Sequence, residues 1–209
     1  MVNSEKKIDA ILLIGPPGVG KGTQGKLLGA VPGFLHVASG DIFRALDRES
    51  ELGKTFLEYS SKGLLVPDDL TIEMWYAFMQ EKIADGSYRP DMQMVVLDGI
   101  PRSLKQAEIM DQYLTVHKVV RLVVEHQDEL LRRMKRRAER EGRHDDAKEE
   151  VILNRFEIYK NETFPMLKHY DRDGLVAEIN AIGSPGRVLR DVLTAVVPAQ
   201  EGVFKNALE

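Results

Sequence analysis

The sequence contains no cysteine. That absence removes a disulfide framework, a thiolate metal site and a cysteine nucleophile, and it fits a reducing compartment. An excess of positive charge is missing too. Lys and Arg number 29 against 33 Asp and Glu, a formal net charge of −4, whereas a duplex-binding protein carries the opposite sign. Long hydrophobic runs are also lacking. The opening stretch MVNSEKKIDAILLIG holds one short apolar run, too brief to span a membrane and without the small-residue cleavage site of a signal peptide. No internal repeat and no low-complexity tract is present. Together these absences lead us to expect a cytoplasmic protein without nucleic-acid or membrane partners. What is there, 209 residues of which 43% are apolar, suits one α/β domain with inserts around a substantial core.

Short β-branched or apolar runs predict buried strands at 10–14, 94–97, 119–124 and 175–179, with a weaker fifth at 34–37. Helical spacing predicts helices over 21–30, 69–84, 104–114, 129–140, about 146–170, and 185–196. Strands alternating with helices predict a parallel sheet covered on both faces, with ligands bound beyond the carboxyl ends of the strands. Two regions interrupt the alternation. Residues 39–67 hold short helical pieces at 41–47 and 52–61, closed by Gly63 and Pro67, and residues 138–146 are almost wholly charged around Gly142. Both read as surface inserts able to move against the core, and the tail after Pro198 is expected to fray.

The sharpest local signal is Gly15-Pro-Pro-Gly-Val-Gly-Lys-Gly-Thr23, which follows an apolar strand and opens a helix. That is the context a phosphate-binding loop requires. Gly15, Gly18 and Gly20 let the backbone wrap a polyphosphate and aim its N–H groups inward, around Val19, while the helix beginning near Lys21 adds its positive end. The Lys21 ammonium can follow charge as it shifts between phosphates. Gly22 stands where a general phosphate-loop NTPase places the magnesium-binding hydroxyl, and Thr23 supplies a hydroxyl one place later. The metal is thereby left mainly to the nucleotides and water.

Parts for a second phosphate site are present as well. Ser39-Gly40-Asp-Ile-Phe-Arg44 reads as an N-cap followed by a helix carrying an arginine. Asp98-Gly99-Ile-Pro-Arg102 follows a predicted strand, so Asp98 falls at a carboxyl end, where a metal-organising carboxylate belongs, and the turn presents Arg102. Two arginines from different segments can fork onto one phosphate. Further on, Arg133, Arg137 and Arg140 share a helical face, whereas Arg132, Lys135 and Arg136 read as the solvated side of that helix. Arg137 and Arg143 could then descend on a transferring phosphoryl group, joined by Arg155 from the next helix. A nucleic-acid patch is the rival reading of this basic run, disfavoured by net charge and by the lack of interleaved aromatics.

In order along the chain, GPPGVGKGTQ, SGDIFR, DGIPR with Gln106 shortly after, GRHDD and NRFEIY closely resemble the adenylate kinase family, over nearly the whole length. The resemblance implies a three-layer P-loop fold with a five-stranded parallel sheet. It also implies one domain comprising a core (about 1–38, 68–137 and 147–209), a monophosphate-binding insert (39–67) and a lid (138–146) of the short form without zinc. It implies Mg2+-dependent transfer between ATP and AMP to give ADP, by a monomer. Gly15, Gly18, Val19, Gly20, Lys21, Gly22, Thr23, Arg133, Arg137 and Gly183 would bind ATP. Ser39, Gly40, Arg44, Val66, Gly99, Arg102, Gln106, Arg143 and Arg155 would bind AMP. Lys21, Arg102, Arg137, Arg143 and Arg155 would act in catalysis, with Asp98 on magnesium through water and Asp145 and Asp146 fastening the closed lid. Gln106 sits where adenylate kinases read the adenine edge and where the related UMP/CMP kinases carry asparagine; Ser60 and Ile100 depart from the family pattern near the base. A UMP/CMP kinase and a non-catalytic nucleotide-binding homologue are the alternatives.

Overall fold

In a computed structural model, which describes residues 7–142, 148–171 and 174–204, strand β1 (Ile8–Ile14) is buried along its whole length. Its side chains alternate between two separate cores. Ile8, Ala10, Leu12 and Ile14 face one, and Ile11 and Leu13 face the other. A strand buried on both faces belongs inside a parallel sheet. Among the described residues the sheet order is β2-β3-β1-β4-β5, with β2 at Phe34–Ala38, β3 at Met94–Asp98, β4 at Leu114–Val123 and β5 at Val176–Asn180, and every pairing is parallel.

Helices close both faces. Helix α4 (Asp68–Ala84) lays Trp75 and Met79 on one side, together with Ala107 and Met110 of α5 (Leu104–Met110). The opposite side receives Leu28 of α1 (Lys21–Gly29), Leu130 and Met134 of α6 (Gln127–Glu141), Phe156 of α7 (Glu149–Ile158), and Val188, Val192 and Val196 of α9 (Pro185–Val203). This is the three-layer fold expected. The first interrupting region contributes α2 (Ser39–Arg44) and α3 (Glu51–Ser60), joined by a stacked Phe43–Phe56 pair with ring centroids 5.3 Å apart.

Several boundaries differ from expectation. Strand β4 starts at Leu114, ahead of the apolar run, and α5 accordingly stops at Met110, with the Tyr113 carbonyl accepting from Ile8 N–H at 2.8 Å. The helix expected over 146–170 is several pieces in its described part: α7, a π turn at Tyr159–Thr163, α8 at Phe164–Met166 and a 3-10 turn at Leu167–His169. Nor does the chain fray at Pro198, because α9 runs through to Val203. Proline forfeits one backbone bond there, but Val196, Gln200 and Phe204 are buried and hold the last turns. Among the described residues no helix is long and apolar enough to cross a membrane.

Candidate active site

The carboxyl ends of β1 and β3 open into a cavity of about 870 Å3. The loop after β1 depends on glycine: Gly18 has φ +79°, and a Cβ there would meet the Leu130 carbonyl oxygen at 2.9 Å and the Met134 side chain at 2.8 Å. The packing of α6 therefore presses directly on the loop. Lys21, the first residue of α1, donates from Nζ to the Gly15 carbonyl at 2.7 Å and the Pro16 carbonyl at 3.1 Å. Burial pushes its pKa down to about 8, helped by Arg102, Arg137 and Arg155 and opposed by Asp98. Gly15, Gly18, Gly20, Gly22 and Thr23 line the cavity with it. Val19 is not among the lining residues, because its side chain is 2% exposed and packs into the core behind the loop.

Asp98 ends β3, and the chain turns at Gly99 with φ +79°. A Cβ at that position would lie 2.6 Å from Arg102 Nη2 and 2.9 Å from Ser39 Oγ. Glycine thus admits both groups, and its carbonyl accepts from Ser39 Oγ and from Arg102 Nε, each at 2.7 Å. Ser39 is consequently no N-cap. It is the first residue of α2 behind Ala38, and its hydroxyl ties the insert to the turn after β3. Burial, then Arg155, pushes Arg102 down to about 10, with Asp98 opposing. For Asp98 itself burial acts upward, but the facing His36 ring, Lys21 and Arg102 outweigh it and hold the carboxyl below the ordinary range. The Arg102 carbonyl accepts from Thr163 Oγ1 at 2.7 Å, a contact supplied by the π turn. Gln106 is buried, and its amide bridges Arg102 N–H and Asp68.

From α6, Arg133, Arg136, Arg137 and Arg140 all line the cavity. Arg136 thus departs from the solvated side on which the sequence reading puts it. It lies three residues beyond Arg133 and one before Arg137, so it belongs to the same helical stripe. Arg132 pairs instead with Glu129, and Lys135 with Glu149. Ser39, Gly40, Arg44, Val66, Gly99, Arg102, Gln106 and Arg155 also line the cavity, with Arg44 on Asp41 Oδ1 at 2.6 Å. Gly183 does not; it borders an adjoining hollow with Ile182, His126 and Arg133, and Arg133 lines both. Arg143, Asp145 and Asp146 lie outside the described residues. Four contributions went unread in the sequence: Arg136, the stacked Phe43–Phe56 pair, Thr163, and Asp68 acting through Gln106. Only Arg136 carried a usable signal, its spacing.

Among the described residues nine cationic side chains line the cavity: Lys21, Lys26, Arg44, Arg102, Arg133, Arg136, Arg137, Arg140 and Arg155. Three carboxylates, Asp41, Asp98 and Glu141, stand against them. Such a site is built for polyanions of small size, with enough room for nucleotides.

Comparison with known proteins agrees with that chemistry. The family profile described as adenylate kinase matches residues 13–175. The chain is 37% identical over 192 residues to an adenylate kinase of Thermobifida fusca (strain YX), covering 89% of this chain and 97% of the relative. It is 36% identical over 192 residues to an adenylate kinase of Thermus thermophilus, covering 90% and 96%. To that of Mycobacterium sp. (strain MCS) it is 39% identical over 191 residues, covering 89% and 98%.

Proposed function

This chain belongs to the adenylate kinase family and has adenylate kinase function, phosphoryl transfer between ATP and AMP to give two ADP; we propose that the transfer is direct and in line, driven by positioning and charge compensation. The observation that carries this reading is the convergence of Lys21 and Arg102, from the carboxyl ends of two neighbouring strands, on one cavity with Asp98 in electrostatic reach of both.

In this reading ATP lays its phosphates on Gly15, Gly18, Gly20, Lys21, Gly22 and Thr23. Val19 shapes the loop from behind, its own N–H being donated to the Pro16 carbonyl at 3.3 Å. Arg133 and Arg137 flank the phosphates, and the adenine lies toward the Gly183 hollow. AMP enters between Ser39, Gly40, Val66, Gly99 and Gln106, its phosphate gripped by Arg44 and Arg102. Arg137, Arg143 and Arg155 surround the transferring group. An acceptor phosphate is already anionic at neutral pH, so attack needs no general base, and no histidine or cysteine is assigned one. The insert 39–67 and the lid 138–146 would close to exclude water, which would otherwise take the phosphoryl group.

Among the described residues no cluster of three acidic or histidine side chains offers a protein cage for a metal. One half-buried, ionised carboxylate among the described residues, Asp98, borders the loop beside Gly22. That set fits Mg2+ held chiefly by nucleotide oxygens and water, with Asp98 ordering one water. When bound with ATP, the ion neutralises charge on the phosphates. We further propose a cytoplasmic monomer.

The test is a coupled assay with MgATP and, in turn, AMP, UMP, CMP, GMP and no acceptor. Rapid ADP formation with AMP alone is expected, and Lys21→Met or Arg102→Ala should abolish turnover while leaving the fold intact. Near-normal turnover in either variant would sink the assignment of these residues, whereas a preference for UMP or CMP would keep the mechanism and overturn the base reading.

A further inference from the structure

We propose that Asp68 is a positioning residue for base selection: it locks the Gln106 amide in the orientation that fits an amino-substituted base and rejects a keto base. This rests on the reading of Gln106 as the residue facing the acceptor base. Gln106 is only 2% exposed yet lines the cavity, so its amide is held and not free to wander.

Both amide atoms are engaged. Oε1 accepts from Arg102 N–H at 2.7 Å, and Nε2 donates to Asp68 Oδ1 at 2.8 Å. A backbone N–H only donates and a carboxylate at neutral pH only accepts. Turning the amide over would set donor against donor at Arg102 and acceptor against acceptor at Asp68. Asp68 is held in turn. It opens α4, and its Oδ1 also accepts from Ser103 Oγ at 3.0 Å, while Ser103 Oγ accepts from Gln106 N–H at 3.0 Å. The contact between α4 and the start of α5 thereby becomes a closed hydrogen-bonded ring around the amide.

The two bonds use one N–H of Nε2 and one lone pair of Oε1. One N–H and one lone pair remain for the base. Adenine meets that edge with its exocyclic amine as donor and its ring nitrogen N1 as acceptor. Cytosine presents the same order through its amine and N3. Hypoxanthine, guanine and uracil present a carbonyl and a ring N–H in the reverse order, giving two repulsive contacts in place of two hydrogen bonds. Buried polar groups left mispaired are the strongest basis for selection among similar ligands.

The decisive comparison is AMP against inosine monophosphate, which differ only in that donor–acceptor order. For the wild type, kcat/KM should strongly favour AMP, and CMP should exceed UMP among the slow acceptors. Asp68→Ala, which leaves Gln106 Nε2 without its acceptor and so releases the amide, should cut the AMP-to-IMP ratio by at least about tenfold, the effect of one buried hydrogen-bonding group freed from its fixed partner. The KM for ATP should stay unchanged. Ser103→Ala, which strips Asp68 of its second donor, should move the ratio the same way by less, and it serves if the first variant fails to fold. A ratio unchanged in the folded variants, with only thermal stability lowered, would show Asp68 to be a helix-start residue and overturn the inference. Gln106→Ala separates the two levels. If it collapses the ratio and Asp68→Ala does not, the Asp68 inference alone fails. If it preserves the ratio, the Gln106 reading fails and takes this inference with it.

Discussion

Lys21 should make ATP capture pH-dependent in a range where adenine nucleotides themselves no longer titrate. Its pKa is pushed down from 10.5 to about 8, first by burial and then by Arg102, Arg137 and Arg155. In the free enzyme the ammonium therefore loses its proton as pH rises through about 8. A bound triphosphate supplies the opposite charge the site lacks and raises the pKa again, so binding above that pH must be accompanied by proton uptake. The profile of kcat/KM for ATP reports the free enzyme and should fall about tenfold per pH unit beyond the break. By contrast kcat, measured on the loaded enzyme, should hold level well above it. At pH 9, one unit past the break, roughly nine in ten free Lys21 side chains are neutral, so calorimetry in two buffers of different ionisation enthalpy should find an uptake near one proton. Stability of the ligand-free protein responds with the other sign. Between about 8 and 10.5 the unfolded chain binds more protons at this residue than the folded one, so the Lys21 contribution to stability grows as pH rises. A kcat/KM that stays flat to pH 10, or ATP binding at pH 9 without proton uptake, would refute the electrostatic account of Lys21.

Gly99→Ala places a Cβ 2.6 Å from Arg102 Nη2 at a φ of +79°, so both the arginine and the backbone must give. We expect about 1–3 kcal/mol of lost stability by denaturant unfolding, with a KM for AMP raised far more than the KM for ATP. Thr163→Val keeps the shape of the π turn but leaves the Arg102 carbonyl without its 2.7 Å donor. That should cost about 1–3 kcal/mol and raise the KM for AMP; an unchanged KM would confine Thr163 to a structural role.

The phosphate loop and the turn at Asp98 to Arg102 were legible because their chemistry is local: a short run of glycines and one cation carries the whole signal. Contacts that close only in the fold were not. Gln106 meets Asp68 across 38 residues and Arg102 meets Thr163 across 61, and nothing in either segment names its partner. Ser39 was misread for the same reason. A serine before a helix suggests a cap, but its nearest acceptor is a carbonyl 60 residues away. The amino-terminal half of β4 escaped because Thr115, His117 and Lys118 break the apolar run. Those polar residues are tolerated there since His117 pairs with Asp9 of β1 at 2.7 Å, a partner invisible from β4 alone. The α9 extension beyond Pro198 depended likewise on burial of Val196, Gln200 and Phe204.

The charge distribution shows how one small chain crowds cations together. Among the described residues, removing the nine cations and three carboxylates of the cavity from 25 Lys and Arg and 28 Asp and Glu leaves 16 against 25. The site is thus a positive hollow in a negative body. Inside, the crowding adds to a cost that Lys21 and Arg102 register, both being pushed down first by burial and then by their cationic neighbours. The fold holds them with neutral acceptors, the carbonyls of Gly15, Pro16 and Gly99, and with Asp98 as the carboxylate in reach of both. Carbonyls hold the donors in place without cancelling their charge. In the mechanism we propose, the compensation is left to the phosphates, and it is greatest when both nucleotides are bound and negative charge is spread between them. Such preorganisation favours the transferring arrangement over either nucleotide bound alone.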